Sequence, residues 1–166
     1  MPRFKLVTSP NEILRNKNAE IKFPLSSDIK KLIDQMKYDV KRFNGIGLAA
    51  PQIGKNLKLA IINLEHYNIP AFPIINPKIT SKSFRKETME EGCLSIPGKF
   101  GVVKRPKKIT VKFYREDGKK VKLKVDGLTA KVFQHEIDHL NGIIILDKWD
   151  KKTVYTPKNT DAKKTE

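Results

Sequence analysis

Two histidines and a glutamate stand at the spacing of a metal centre on a helix. The segment 134–139, QHEIDH, places His135 and His139 four residues apart, and residues at that spacing lie on one helix face. Both imidazoles can therefore point at one metal ion. Glu136 lies about 100° round the helix, where its carboxylate can take a proton from a water whose pKa the metal has lowered.

The alternative is that the two histidines fall by chance on an ordinary helix, because H-E-x-x-H is a short pattern. Two observations favour a metal site. The chain has three histidines, and two of them lie in this segment. Leu128 and Val132 continue the same stripe, so the imidazoles would lie beside an apolar wall, where buried polar groups need a partner.

A catalytic zinc-type site has three protein ligands and one open position, so a third ligand must come from elsewhere. Cys93 is the only cysteine, within the segment 91–95, EGCLS. A lone cysteine is commonly a small buried apolar residue. A thiolate beside two imidazoles is also a good ligand set for a divalent transition metal, and the spacing alone leaves both interpretations open.

A loop rich in small residues, GIGLAAPQ at 45–52, forms the third segment of interest. Its glycines and alanines allow another backbone or a ligand to approach closely, although a tight helix-to-strand connection would use the same residues. It lacks the lysine and Ser/Thr of a phosphate-binding loop and the spacing of a dinucleotide loop. Gln52 could donate a hydrogen bond to a developing oxyanion.

Two helices must position these segments. Ser26, Ser27 and Asp28 are potential N-caps, and apolar residues then follow at helical spacing up to Phe43, before a stop at Asn44-Gly45. The second helix is predicted from about Leu128 to Asn141, ended by Gly142. Residues 8–23 show little periodicity and are predicted to form an irregular arm.

Strands are predicted at 57–63, briefly at 74–75, and in a hairpin whose first strand, 107–114, alternates apolar and polar residues. Val121, Leu123 and Val125 continue the hairpin after a turn at 116–118. Residues 143–146 are predicted as a short strand or core segment pinned by Trp149. From residue 150 the chain is predicted to be a frayed tail.

Length and composition indicate one globular domain, taken as 1–150, followed by a basic, flexible tail, 151–166. The chain has 166 residues, 39% hydrophobic and 31% charged. One cysteine excludes an intramolecular disulfide, and no stretch approaches the roughly 20 apolar residues that span a bilayer. We therefore expect a soluble protein of a reducing, cytoplasmic compartment, with no membrane partner.

The charge balance is strongly basic. Thirty-four Lys and Arg against eighteen Asp and Glu give a net charge of +16, which predicts weak attraction to polyanions. Residues 104–124 alone carry ten basic and two acidic residues. Our preferred interpretation is that these lysines keep the outer face of the hairpin soluble and protect an edge strand. The alternative is a dedicated nucleic-acid surface.

Taken together, GIGLAAPQ, EGCLS and QHEIDH resemble the motifs of the peptide deformylases, in the same order and without a departure. The resemblance extends from about Asn11 to Leu146. It implies an α+β fold with mixed or antiparallel sheets around a central helix that bears the H-E-x-x-H motif, which the predicted elements also suit. It further implies a hydrolase that removes the formyl group from the N-terminal formyl-methionine of nascent polypeptides.

The resemblance also implies the role of each matching residue. Cys93, His135 and His139 would bind the metal, and water on that metal would attack the formyl carbon, with Glu136 as general acid/base and formate as a product. Gln52 and the backbone N–H of Leu94 would hold the formyl oxygen as it gains negative charge.

Other matching positions would contact or support the substrate. The substrate main chain would meet Ile46 and Gly47, and its methionine side chain would lie against Ile46, Leu128 and Val132. The supporting residues would be Glu91, which orients the loop and pairs with Arg105, and Gln134 and Asp138, which fix the direction of the ligands. Lys131 departs from the family, which has an apolar residue there; its stem would line the pocket rim and its ammonium would reach water.

The family's metal is commonly Fe²⁺, with Zn²⁺ as the alternative, and the sequence does not choose between them. Many bacterial members end in a helix that docks on the ribosome. Residues 147–166 have no amphipathic stripe, so we expect a transient contact near the tunnel exit. If the source is not a free-living bacterium, the location would be an organelle or a host cytoplasm.

Two other functions are compatible with parts of the pattern. A zincin-like endopeptidase would use the same histidine pair, but such enzymes generally take a third ligand from downstream, and no histidine follows His139. A basic RNA- or ribosome-binding module on an inactive enzyme fold would explain the net charge. Every proposed catalytic position is intact, however, and the basic residues are mostly Lys, which lacks the bidentate geometry of Arg.

Overall fold

Residues 3–158, the part of the chain that this computed structural model describes, form two helices and seven strands. In chain order they are α1 (Ser27–Arg42), β1 (Gly47–Ala49), β2 (Leu59–Leu64), β3 (Ile69–Lys82), β4 (Lys86–Cys93), β5 (Ile96–Pro106), β6 (Lys108–Tyr114), β7 (Lys120–Asp126) and α2 (Gly127–Leu140). Short 3₁₀ turns occur at Glu12–Arg15, Ala50–Ile53, Glu65–Tyr67, Ile145–Asp147 and Lys151–Thr153. None of the helices in the described residues is long and apolar enough to cross a membrane.

The strands form two antiparallel sheets. Five of them pair in the order β1-β2-β3-β6-β7, and β4 and β5 form a separate long hairpin. One helix packs on each face of the five-stranded sheet, and β2 alternates between them: Ile62 belongs to the α2 core and Ile61 to the α1 core. The predicted α+β fold, with antiparallel sheets around a helix that carries H-E-x-x-H, is confirmed.

The α2 core fixes the helix that bears the histidines. Phe133 and Ile137 pack against Val111 and Phe113 of β6, and all four side chains are buried. Each such side chain contributes about 1.5–3 kcal/mol when it leaves water, so this face sets the rotation of α2 about its axis. The predicted helix, 128–141, agrees with Gly127–Leu140 to within one residue.

The other helix covers the opposite side of the sheet. Ser26 caps α1, its side chain accepting a hydrogen bond from the backbone N–H of Ile29. Ile33, Met36 and Val40 are fully buried against β2 and β3. The predicted helix α1 is therefore confirmed, and it packs on the face of the sheet opposite to the one that α2 and its histidines cover.

The predicted C-terminal hairpin is also confirmed. β6 pairs with β7 in one continuous register, with Val111 opposite Leu123 and Lys112 opposite Lys122. The apolar side chains face α2, and the lysines face outward, because successive residues of a strand point to opposite faces.

Two other strand predictions were incomplete. β3 spans Ile69–Lys82, far beyond the predicted 74–75, because its three prolines interrupt the pattern without ending the strand; its register shifts after Ile75, where Pro77 lies. The β4–β5 hairpin was missed. Its strands contain Glu87, Glu90, Gly98 and Gly101, which weaken the alternation that sequence reasoning uses.

The C-terminal region agrees with its prediction in part. Residues 143–146 form no strand, but the alternative of a core segment pinned by Trp149 is confirmed, because Ile144 and Ile145 are buried in one cluster with that side chain. Residues from 150 on were expected to fray, but the backbones of Tyr155 and Phe100 exchange two hydrogen bonds, of 2.9 and 3.0 Å. Apolar packing explains the attachment, since Val154 joins the cluster around Trp149. Residues 159–166 of the expected tail lie outside the described residues.

The end of α2 offers a test of this packing. Gly142 has a φ of +72°, and a Cβ there would lie 2.7 Å from the carbonyl oxygen of Arg15 in the N-terminal arm. Gly98 has a similar φ of +74°, with nothing within 4 Å of its Cβ position. We expect Gly142→Ala to lower the free energy of unfolding by about 2–4 kcal/mol and Gly98→Ala by about 1 kcal/mol. Urea unfolding followed by circular dichroism measures both, and equal losses would contradict a close arm–helix contact.

Candidate active site

The three predicted metal ligands meet at one point. α2 presents His135 and His139, and β4 ends at Cys93. The Sγ of Cys93 lies 3.3 Å from Nε2 of His139, and one ligand atom from each of the three residues lies within 4.8 Å of the others. Residues separated by more than forty positions in sequence are thus brought to the distances that a single ion requires.

A buried carboxylate orients His135. Glu91 accepts two hydrogen bonds from the guanidinium of Arg105, at 2.7 and 3.1 Å, and its Oε2 lies 3.2 Å from Nδ1 of His135. Its backbone carbonyl accepts a third bond from the indole of Trp149, at 2.9 Å. Burial raises the pKa of Glu91, but the hydrogen bonds from His135 and Arg105 outweigh it and lower the pKa to about 2. A charged Glu91 holds the proton of His135 on Nδ1, which leaves Nε2 free to bind a metal.

Arg105 connects the hairpin to the helix. Besides Glu91, it donates a hydrogen bond of 2.8 Å to Asp138 of α2. The predicted pairing of Glu91 with Arg105 is present, and Glu91 reaches the site through its contact with His135. Gln134, also expected to support the ligands, donates instead to the carbonyls of Pro106 and Ala130, both at 3.0 Å, so its amide ties α2 to the end of β5.

The two histidines differ electrostatically. Burial lowers the pKa of His139 well below its usual range, so this imidazole is neutral and able to ligate. Burial also lowers the pKa of His135, but hydrogen bonds to Cys93 and Glu91 raise it overall, to about 10. At that pKa the ring carries a second proton, on Nε2, and a bound cation would displace that proton while the one on Nδ1 stays with Glu91.

Glu136 has a buried carboxyl group beside the ligands. Burial raises its pKa to about 7, and its Oε2 has no hydrogen-bond partner among the described residues. The carboxyl lies against Gly47 of β1, where any Cβ would collide with the Glu136 side chain, its Cγ being 2.7 Å from that position. The glycine at 47 therefore leaves the space that the Glu136 carboxyl occupies.

Gln52 is held in a fixed orientation next to Cys93. Its Oε1 accepts a hydrogen bond of 2.9 Å from the backbone N–H of Ala49. Its amide nitrogen lies 3.2 Å from Oγ of Ser95 and 3.7 Å from Sγ of Cys93. Ser95 is fully buried and was missed as a site residue, although it ends the EGCLS motif. Leu94 lies with Ser95 in the two-residue connection between β4 and β5.

A cavity of about 520 Å³ opens onto these groups. Its lining includes Ile46, Gly47, Val132, His135 and Glu136, as expected. Leu128, predicted to form part of the wall, does not line it; this side chain packs on the α2 core. Lys131 lies one turn nearer the ligands and takes that place in the wall.

Lys131 crosses from the helix to the hairpin. Its Nζ donates a hydrogen bond of 2.8 Å to the backbone carbonyl of Glu90. The ammonium was predicted to reach water, and it is instead also bonded to the protein. Burial lowers the pKa of Lys131, which is half-buried at this position. Lys131 lines the cavity as predicted, with its ammonium bonded to the hairpin at the Glu90 carbonyl.

The donor set fits a divalent transition metal. Two imidazole nitrogens and one thiol sulfur suit Fe²⁺ or Zn²⁺, and three protein ligands leave one position open towards the cavity. The buried carboxyl of Glu136 and the amide of Gln52 line the same cavity. Such a centre belongs to the class of metal-dependent hydrolases.

Comparison with known proteins identifies the family. The sequence model described as Polypeptide deformylase matches residues 4–154. A peptide deformylase of Desulforudis audaxviator is 42% identical over 148 residues, covering 89% of this chain and 94% of the relative. One from a strain of Prochlorococcus marinus is 42% identical over 149 residues, covering 89% of this chain and 73% of the relative.

Solved structures give the same result. The crystal structure of a peptide deformylase from Synechococcus elongatus in complex with actinonin has a TM-score of 0.86 at 36% identity, covering 92% of this chain and 83% of that one. A probable peptide deformylase from a Synechococcus phage has a TM-score of 0.82 at 44% identity, covering 88% and 99%. The chain belongs to the peptide deformylase family, whose enzymes are metal-dependent hydrolases that remove N-terminal formyl groups from nascent peptides.

The Glu91 contacts give a testable consequence. Glu91→Gln removes the charge that faces both Arg105 and His135, so we expect a loss of about 3 kcal/mol in unfolding free energy and a 10- to 100-fold loss of metal affinity. Glu90→Gln, at the exposed neighbouring position, is the matched control and should change neither quantity. Urea unfolding and a metal titration against a chelator measure the two effects. Identical behaviour of both variants would show that the Glu91 charge does not orient the site.

Proposed function

We propose that this chain removes the formyl group of formyl-methionyl peptides at a metal held by Cys93, His135 and His139. The observation that supports the proposal is the convergence of these three donors with Glu136 at one cavity. The ion would supply a positive charge that polarises the formyl carbonyl and lowers the pKa of a water. Fe²⁺ is the first candidate because of the family resemblance, and Zn²⁺ is the alternative, since the donor set accepts both.

Glu136 would move the proton in this reaction. Its carboxylate takes a proton from the attacking water and delivers it to the amide nitrogen as the bond from formyl carbon to nitrogen breaks, which yields formate and a free amine. A pKa of about 7, raised by burial, suits a group that must both accept and release a proton near neutral pH. The unpartnered Oε2 supports this role, because no described residue competes for it.

Gln52 and the backbone N–H of Leu94 would stabilise the formyl oxygen as it gains negative charge. The amide of Gln52 is suited to this because Ala49 and Ser95 fix it, so no reorientation is required during the reaction. Ser95 would then be a positioning residue that acts through Gln52.

The substrate main chain would pair with β1. In the five-stranded sheet β1 is an edge strand that pairs only with β2, so its other side can accept an extended peptide along Ile46 and Gly47. The methionine side chain would then enter the cavity between Ile46 and Val132, against the stem of Lys131.

We also propose a cytoplasmic location and a transient contact with the ribosome near the tunnel exit. Cys93 is free, and a reducing compartment favours a thiol that stays free to bind a metal. The net charge of +16 would assist weak attraction to a polyanionic surface.

The reaction is tested by formate release from a formyl-Met-Ala-Ser peptide, with protein purified anaerobically and its metal content read on the same sample. We expect Glu136→Ala to keep about one metal per chain and to lose turnover by about 10³-fold, because only the proton carrier is removed. Cys93→Ala and His139→Ala should lose the metal. His66→Ala, at the exposed third histidine, should keep both the metal and the turnover. Full turnover in Glu136→Ala, or unchanged metal in Cys93→Ala, would refute these roles.

Lys131 gives a separate test of the pocket. Lys131→Met replaces the cationic end of the wall with an apolar one, so the kcat/KM ratio for formyl-norleucyl over formyl-glutaminyl peptides should rise about three- to tenfold. Lys99→Met is the control, because Lys99 also lines the cavity but is exposed. If the two variants change the ratio equally, Lys131 does not form the side-chain pocket.

A further inference from the structure

Five exposed lysines lie together on the α1 side of the five-stranded sheet, on the part of that face that α1 does not cover. We define this lysine face as Lys78 of β3, Lys112 of β6, and Lys120, Lys122 and Lys124 of β7, all of them exposed. The strand register sets Lys78 opposite Lys112 and Lys112 opposite Lys122, so three lysines form one row across three adjacent strands. Strands lie about 4.8 Å apart, and alternate residues of a strand about 7 Å apart, so the charges are closely spaced.

Little negative charge faces these lysines. Among the described residues, Lys78 forms one ion pair, with Glu20 at 3.6 Å, and the other four lie within 4 Å of no described carboxylate. The two acids of the β6–β7 turn contact other groups: Glu116 pairs with Lys37, and Asp117 pairs with Arg115 at 3.2 Å. Like charges directly opposite each other in a sheet are destabilising, so the row lowers the stability of the free protein.

Protection of an edge strand explains only part of this face. β7 is the edge, and lysines along it discourage pairing with another chain. Lys112 lies on β6 and Lys78 on β3, both of them inner strands with neighbours on each side. Solubility would be served equally by acidic and basic residues in alternation, which would also remove the repulsion.

We propose that the lysine face binds RNA through its phosphate backbone, without base specificity. A flat array of ammonium groups gives point-charge contacts to successive phosphates, and the absence of Arg from the face fits positioning rather than base recognition. The inference rests on the contact with polyanions proposed above and not on the proposed reaction chemistry.

The composition of the face favours RNA over a lipid surface. Among the lysines lie Thr110, Thr80 and the half-buried Tyr114, whose ring centroid is 5.3 Å from Nζ of Lys120. None of the large exposed apolar residues of the described chain belongs to β6 or β7. Binding to a bilayer surface usually combines basic residues with apolar side chains that insert into it. The cavity lies with α2 on the opposite side of the sheet, so RNA on the lysine face would leave the active site open.

The test compares two double variants of equal charge in the full chain. Lys112→Gln/Lys122→Gln removes two adjacent charges of the lysine face, and Lys30→Gln/Lys31→Gln removes two exposed charges from α1. The probe is a single-stranded 20-nucleotide oligouridylate, titrated at several salt concentrations. For the first variant we expect about tenfold weaker binding, and a slope of log K against log salt that is shallower by about 1.4. The α1 variant should stay within about twofold of the unmodified chain.

Formate release and thermal unfolding are measured on the same samples. Both variants should keep the kcat/KM of the unmodified chain, because neither pair touches the cavity. The lysine-face variant should unfold at the same temperature or a slightly higher one, because it removes a pair of like charges that lie directly opposite each other. Binding to phosphatidylserine vesicles is measured in parallel. The proposal would be overturned if both variants bound RNA equally weakly, or if the unmodified chain bound no RNA. It would also be overturned if the lysine-face substitutions weakened only the binding to vesicles. Absence of formate release from every sample, with RNA binding intact, would refute the reaction and leave this inference standing.

Discussion

The buried carboxylate of Glu91 is the interaction on which the site geometry depends. Three elements meet at it: Arg105 from β5 and His135 from α2 contact its side chain, and Trp149 contacts its backbone. Burying a carboxylate is costly unless its oxygens are bonded, and here the paired contacts of a guanidinium and the nearby imidazole satisfy them. Because Cys93 follows Glu91 by two residues, the position of the thiol relative to the histidines is set by the same contact.

Three glycines allow the elements around Glu91 and the candidate ligands to pack closely together. At Gly92 a Cβ would lie 2.7 Å from the ring of Phe100, and at Gly101 it would lie 2.9 Å from Trp149. Gly47 likewise leaves room for the carboxyl of Glu136. A side chain at any of these positions would separate the hairpin, the C-terminal segment or β1 from its neighbour, so the glycines in GIGLAAPQ and EGCLS serve packing as well as chemistry.

The sequence predicted best those parts that have a local periodicity. α1, α2 and the β6–β7 hairpin have a clear apolar stripe or alternation, and each was found within a few residues of its predicted bounds. The β4–β5 hairpin was missed because it is stabilised by contacts distant in sequence, such as those of Arg105 and Trp149, which leave no pattern in the strands themselves. Motifs identified the candidate ligands, but they did not indicate that Lys131 would be bound to the Glu90 carbonyl or that Leu128 would be excluded from the cavity.

Apolar and lysine side chains alternate along β6, so this strand contributes to both faces of the sheet. Val111 and Phe113 point to the core that seats α2 and its histidines, while Lys112, between them, points to the opposite face. A shift of register by one residue would therefore bury a lysine beneath the active-site helix and expose the core, so the pairing is strongly specified. The repulsion between adjacent lysines lowers stability, but the sheet tolerates it because the apolar core under α2 sets the strand pairing whichever residues occupy the lysine face. The sheet thus separates the side that carries the candidate metal ligands from the side that carries α1 and the exposed lysines, and those lysines can vary without disturbing the candidate ligands.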